Sequence, residues 1–288
     1  MSIAKEMKIL LMASINKIAI QVLICYIENM ESRFAIPKYP NIKKMDGRGK
    51  SRLIVVGDVH GKWDLVVGLF KKVRPTDRDI VVFTGDFMDR GSHVVEIVKF
   101  LYNARNKIFT VMGNHEEKHI RWRRHVAATW QNPNYKIPMR MGAKGMVDNA
   151  NISDEAFEWM AGLPAIIRVH TDFGDRLIMH AGVIPGIPPE NTKTNGLIRI
   201  QWVDRTTLKP LKADCEDGIY SQPEHSTMWY NHYSGKDRII YGHTVVVTPK
   251  VVNNTYGVDT GAVFGFVLTA YVENLSTGEV EFMQFPSN

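Results

Sequence analysis

Residues 53–61 read Leu-Ile-Val-Val-Gly-Asp-Val-His-Gly, four apolar residues running straight into a Gly-Asp-x-His-Gly turn. A short run this rich in Ile and Val, ended by glycine, reads as a buried parallel strand whose C-terminal end carries polar side chains. The pattern recurs twice: 80–84 leads into Gly85-Asp86-Phe87-Met88-Asp89-Arg90-Gly91, and 108–112 leads into Gly113-Asn114-His115-Glu116. Strands of this kind bring their polar ends to one sheet edge, where the crevices of open α/β sheets form. The glycines permit the sharp turns that aim Asp or His inward. Three further clusters follow in order: His180-Ala181-Gly182, Tyr241-Gly242-His243-Thr244 and Asp259-Thr260-Gly261.

The side-chain types select a chemistry. Asp58, His60, Asp86, Asn114, His180 and His243 are carboxylates, an amide and imidazoles, and neither cysteine lies in a cluster. That set suits manganese, iron or zinc and argues against a thiolate site. Asp86, at the end of the middle strand, is the natural carboxylate to bridge two cations. Two ions about 3.5–4 Å apart can share and activate a water and stabilise an in-line displacement at phosphorus. Taken singly, Asp-x-His is an ordinary turn and Asp-Arg an ordinary ion pair; it is the ordered set, each member following an expected strand, that points to a metal centre.

In this order the clusters resemble the phosphoprotein-phosphatase branch of the calcineurin-like metallophosphoesterases, over residues 52 to about 272. The resemblance implies a two-sheet α/β/β/α sandwich and two divalent ions, manganese first, with iron or zinc as alternatives. One ion would be held by Asp58, His60 and Asp86; the second would share Asp86 and take Asn114, His180 and His243. A metal-bridging hydroxide would be the nucleophile. His115 would be the general acid, oriented by Asp89, and Asp259 would support the metal ligands from behind. Chemistry makes the same demands: a departing alkoxide needs a proton from a carboxylate-fixed histidine, and Arg90 offers paired donors to phosphate oxygens. The expected activity is a phosphomonoesterase, with serine/threonine protein phosphatase leading. The alternatives are a bis(5'-nucleosyl)-tetraphosphatase-like nucleotide hydrolase, an RNA-end phosphoesterase, and a catalytically silent metal-binding module. Substrates are thus a phosphorylated protein or a nucleotide.

The match has departures. Phe87-Met88 replaces an aliphatic pair and reads as packing. No second phosphate-binding arginine stands out; Arg199 and Arg205 are candidates, set against solvated or ion-paired surface roles. Met228-Trp229-Tyr230-Asn231-His232-Tyr233 resembles a Trp-x-x-x-Tyr-x-Gly stretch of bacterial relatives, some of which act on dinucleoside polyphosphates or RNA ends. His232 reads as a structural histidine within that aromatic cluster.

The chain has 288 residues, 44% of them hydrophobic, enough for one large core. It divides into 1–51, an N-terminal apolar helix and basic lead-in, and 52–288, the catalytic domain. The net charge of +6 sits at the front: residues 1–52 hold ten Lys/Arg against four Asp/Glu, and the remainder twenty-six of each. A neutral body offers no basic track for a stable nucleic-acid partner. The apolar stretch 9–27 is interrupted by Asn16, Lys17 and Gln21, which argues against a transmembrane segment and for an amphipathic or core-docked helix; a working start at Met30 and a weakly membrane-associated helix are the alternatives. Cys25 and Cys215 suggest no disulfide framework, so a cytoplasmic location is expected.

Further along, a helix is expected over 116–129, a loop or small cap beside the pocket over 131–150, and a Ser153-capped helix through Met160. Strands at 166–170 and 176–179 would deliver His180. The loops 185–195 and 209–225 would rim the substrate cleft. Strands near 239–241, 251–258, 266–272 and 280–285 would form a second, largely antiparallel sheet.

Overall fold

The computed structural model describes residues 34–212, 215–216 and 219–287; the expected N-terminal helix and the alternative start at Met30 lie outside them. Along the chain run strands β1 (Ile42–Asp46), β2 (Arg52–Val56), β3 (Ile80–Phe83), β4 (Ile108–Thr110), β5 (Ile166–Thr171) and β6 (Gly174–Met179). Five short strands follow: β7 (Trp202–Asp204), β8 (Pro210–Leu211), β9 (Cys215–Glu216), β10 (Ile219–Tyr220) and β11 (Ser226–Met228). The last are β12 (Arg238–Tyr241), β13 (Lys250–Val252), β14 (Thr255–Gly257), β15 (Val267–Asn274) and β16 (Val280–Pro286).

The continuous apolar runs are explained by burial on both faces. In β2, Ile54 and Val56 face a core shared with the helices Trp63–Val73, Val94–Asn103 and Asp154–Ala161, while Leu53 and Val55 face a second core. Val81 and Phe83 of β3 repeat the first orientation, Ile80 and Val82 the second. That second core also holds Ile167, Val169, Ile178 and Ile240, the inward face of the other sheet, so it is the filling between two stacked sheets. The opposite face of that other sheet carries Ile166, Leu177, Met179, Ile239 and Tyr241, covered by Leu197, Ile200, Val203 and Trp229. Among the described residues the fourth layer is therefore made of short helices and an aromatic segment.

The sheets are assembled differently from the expectation. β2, β3 and β4 are parallel as read, but β15 and β16 add to that first sheet, giving the order β16-β15-β2-β3-β4. The second sheet, β1-β5-β6-β12-β14-β13, mixes parallel and antiparallel pairs instead of being largely antiparallel. β15 is buried on both faces along most of its length, which fits the open flank of β2 and not a sheet margin. The basic lead-in is not detached either: β1 pairs in parallel with β5, and Phe34 packs in the first core. The stretch 251–258 is a hairpin, turned by Asn253 and Asn254 with φ of 47° and 61°, the left-handed pair that two-residue hairpin turns require.

Candidate metal centre

The strand ends hand the chain to turns held in left-handed backbone. His60, Asp86, Asp89, Arg90 and His243 have φ between 41° and 68°. Such non-glycine conformations cost on the order of 1–3 kcal/mol each and persist where surrounding contacts over-determine them. Glu116 does this for the second turn. Its fully buried carboxylate accepts from the backbone N–H of Asp86 (2.8 Å), Phe87 (3.0 Å), Met88 (3.0 Å) and Gly113 (2.9 Å), binding two clusters together. Gly113 and Gly242 leave room for carboxylates: a Cβ on either would collide with Asp86 Oδ1 or Asp58 Oδ1. The helix Asn114–Gln131 starts two residues earlier than expected because Glu116 caps it through the Gly113 N–H.

Asp58, His60, Asp86, Arg90, Asn114, His115, His243 and Asp259 line one cavity of about 220 Å³. His180 and Asp89 touch its walls. Ligating atoms of His60, Asp86 and His115 lie within 4.8 Å of one another, as do those of Asp86, His180 and His243, so Asp86 belongs to both groups. Asp58 belongs to neither; Thr84 Oγ1 donates to its Oδ1 (2.8 Å) and the His243 N–H to its Oδ2 (2.9 Å). His60 Nδ1 bonds the Met88 carbonyl at 2.7 Å, which turns Nε2 toward Asp86 at 3.5 Å. His180 Nδ1 likewise bonds the Thr84 carbonyl, and its Nε2 meets Asn114 Oδ1, both at 2.8 Å.

The electrostatics favour a bound cation. Burial pushes His60 and His243 down to about 3, so both rings are neutral and can offer a lone pair. Burial and the Asp259 charge raise Asp58 well above the usual carboxylate range, and burial lifts Asp259 to about 6 although the Gly261 N–H opposes it. Burial also opposes charge on His180, but Asp86 and Asp58 overcome this and push it up to about 10. Three crowded, buried carboxylates held against one protonated histidine form a donor set that divalent ions would satisfy.

Beside this set lies a proton-handling group. Asp89 Oδ2 accepts from Lys118 Nζ at 2.9 Å and meets His115 Nδ1 at 2.6 Å, while Asp89 Oδ1 meets His119 Nε2 at 2.8 Å. Burial opposes its charge, but the bonds from His115 and His119 hold Asp89 far below the usual carboxylate range. Asn149, on the helix Ala143–Ala150, donates to the His119 carbonyl at 3.1 Å. That helix lies within the segment expected as a loop or cap.

Sequence reasoning missed Glu116, His119, Thr84, Gln201 and Phe264. The i, i+4 spacing of His115 and His119 on one helix face was a usable signal; nothing in the local sequence marked Gln201 or Phe264, which line the cavity. Arg199 is ion-paired with Glu117 and Arg205 donates to the Ser226 carbonyl, and neither lines the cavity. His232 lies exposed on the surface, outside the aromatic cluster in which it was expected. Trp229, Tyr230 and Tyr241 form that cluster, under the sheet and away from the cavity. Phe87 and Met88 are fully buried, as packing residues. The loop 183–190 does not rim this site; with 233–237 it lines a separate cavity of about 310 Å³.

This fold and this cluster of donors define a metal-dependent phosphoesterase. The family model for calcineurin-like phosphoesterases matches residues 51–247, and the chain belongs to that family. Among curated relatives, the protein named bis(5'-nucleosyl)-tetraphosphatase PrpE [asymmetrical] of Oceanobacillus iheyensis is 28% identical over 235 residues, covering 76% of this chain and 88% of that protein. The protein of the same name from Bacillus subtilis is 24% identical over 249 residues, covering 81% and 94%. The fold is shared with the crystal structure of a candidate diadenosine tetraphosphatase, with TM-score 0.64, 20% identity, and coverage of 87% of this chain and 100% of that one. It is also shared with a protein serine/threonine phosphatase from Saccharomyces cerevisiae, with TM-score 0.55, 16% identity, and coverage of 93% and 90%. No helix among the described residues is long and apolar enough to cross a membrane.

Proposed function

We propose that this chain hydrolyses dinucleoside polyphosphates at a centre of two divalent ions, manganese first, held by Asp58, His60, Asp86, Asn114, His180 and His243. The observation that carries the centre is the position of the Asp86 carboxylate, within 4.8 Å of the ligating atom of His60 on one side and of those of His180 and His243 on the other. Preference for a nucleotide over a phosphoprotein draws support from the tetraphosphatase relatives, which match over most of their own length. When bound, the ions would supply Lewis acidity that activates water and offsets phosphate charge.

The chain's own residues do the rest. Arg90, exposed at the cavity wall, presents a planar fork to two phosphate oxygens and orients the reacting group. His115, its ring fixed through Nδ1 by Asp89, is placed to serve as proton donor to a leaving oxygen that needs one, a need that is small for a phosphate leaving group. Asp259 accepts from the Gly261 N–H at 3.0 Å and adds negative charge behind the ligands.

Phosphomonoester hydrolysis is the second reading, and the His115–Asp89–His119 assembly favours it, because an alkoxide leaving group needs a proton and a phosphate of low pKa hardly does. Steady-state turnover with manganese separates the two. Diadenosine tetraphosphate, a phosphothreonine peptide and p-nitrophenyl phosphate are compared in the wild type, Asp86→Asn and His115→Ala. The nucleotide reading expects dinucleotide cleavage to dominate, to vanish in Asp86→Asn and to fall less than about tenfold in His115→Ala. Peptide turnover that dominates and collapses in both variants would establish the phosphatase instead.

A further inference from the structure

The cavity has one apolar wall, and it is exposed. Val245 and Phe264 line the cavity, at 45% and 52% exposure, and next to them Phe266 and Val247 are 60% and 94% exposed. Val245 and Phe266 meet over Gly261, and Val247 follows Val245 by two residues along the chain. A Cβ at Gly261 would meet the Phe266 ring at 2.7 Å and the Val245 side chain at 3.2 Å, so the shelf closes over a residue that must be glycine. Gly261 and Gly265 bracket the turn Ala262–Phe264 with φ of 71° and 88°, and Phe264 is half exposed at its end. The Arg90 guanidinium lies over the Phe264 ring, 5.2 Å from its centroid.

Packing does not account for this arrangement. A soluble protein gains nothing by keeping two phenylalanines and two valines in water at the mouth of a polar site, and such patches mark ligand surfaces. The occupant must be covalently tied to a phosphate at the metal centre, because Arg90 belongs to both surfaces. It must also present a flat, weakly polar face, since the shelf offers rings and methyl groups. A nucleobase meets both conditions: it stacks on an aromatic ring while the phosphate beyond its ribose reaches Arg90. We propose that Phe264, backed by Arg90 and flanked by Val245 and Phe266, is the platform on which the base of a nucleotide substrate stacks, an assignment that rests on the nucleotide reading above.

Binding tests the platform independently of turnover. Manganese-loaded protein is titrated calorimetrically with AMP and with ribose 5-phosphate, ligands that differ only in the base. The wild type is expected to prefer AMP by roughly tenfold, the usual scale of one base–aromatic stack. Phe264→Ala should erase that preference, and Phe264→Trp should keep it. Equal affinity of the wild type for the two ligands, or a preference that survives Phe264→Ala, overturns the platform. Failure of the nucleotide reading shows elsewhere, as absent turnover of diadenosine tetraphosphate. Phe264 is half exposed, so its truncation leaves the core intact, and an unchanged melting temperature confirms that binding is being read.

Discussion

Glu116 lies outside the lining of the cavity and holds in place the turns that form it. Its two oxygens gather four backbone N–H groups from the turns that carry Asp86 and Asn114, against burial and the Asp86 charge, which push its carboxyl up to about 7. Glu116→Gln would set an amide NH₂ against those donors and release the strained Asp86 turn. The expected loss is on the order of 3 kcal/mol of stability, read from the urea midpoint, together with weakened manganese binding. His119 acts similarly on Asp89, which it shares with His115. Both residues stand in the sequence within the Asn-His-Glu cluster or one helical turn beyond it. Their roles were hidden because a hydrogen bond across thirty residues depends on which strands lie side by side.

At the level of elements, the site depends on how closely β6 and β12 approach the aromatic segment beneath them. After β6 the chain passes His180 and reaches Gly182, whose Cα lies against the Trp229 indole; a Cβ there would penetrate the ring. Trp229 is fully buried between Tyr230, Tyr233 and Tyr241 and has nowhere to move. Alanine is the better residue for most backbones, but overpacking typically costs about 1–3 kcal/mol, more than the few tenths to 1 kcal/mol that losing a glycine gains. Gly182→Ala is therefore expected to be destabilising by about 2 kcal/mol, measured by thermal unfolding, and to lower turnover by displacing His180. The His-Ala-Gly and aromatic motifs read as separate functional marks in sequence are thus one packing unit, which supports a metal-site histidine from below.

Across the whole molecule, the sheets are tied at the end opposite the site by a buried ion pair. Arg176 of β6 donates to Glu273 of β15 at 2.6 Å through Nη2, and Tyr271 Oη donates to the same carboxylate at 2.6 Å. Glu273 pairs in register with Leu53, at the far end of β2 from Asp58. Glu273→Gln leaves a buried guanidinium without its counter-charge, and the expected cost is about 3 kcal/mol in chemical denaturation with turnover per folded molecule unchanged. A drop in turnover with stability intact would contradict the separation of tie and site. The sequence alone marked the first parallel strands and the ten residues that converge on one cavity and its walls, while the sandwich class came from its resemblance to a known family. The strands and residues rest on local facts: an apolar run ending in Gly-Asp specifies its own strand, its own turn and the residue it delivers. Only the tertiary structure decided that β15 and β16 join the first sheet, that 34–51 is woven into the fold, that Glu116 and His119 brace the site, and that Phe264 stands at its mouth. Each of these is a choice of partner between segments far apart in the chain, set by which buried faces and edges remain open once the strands have stacked, and no local pattern records that choice.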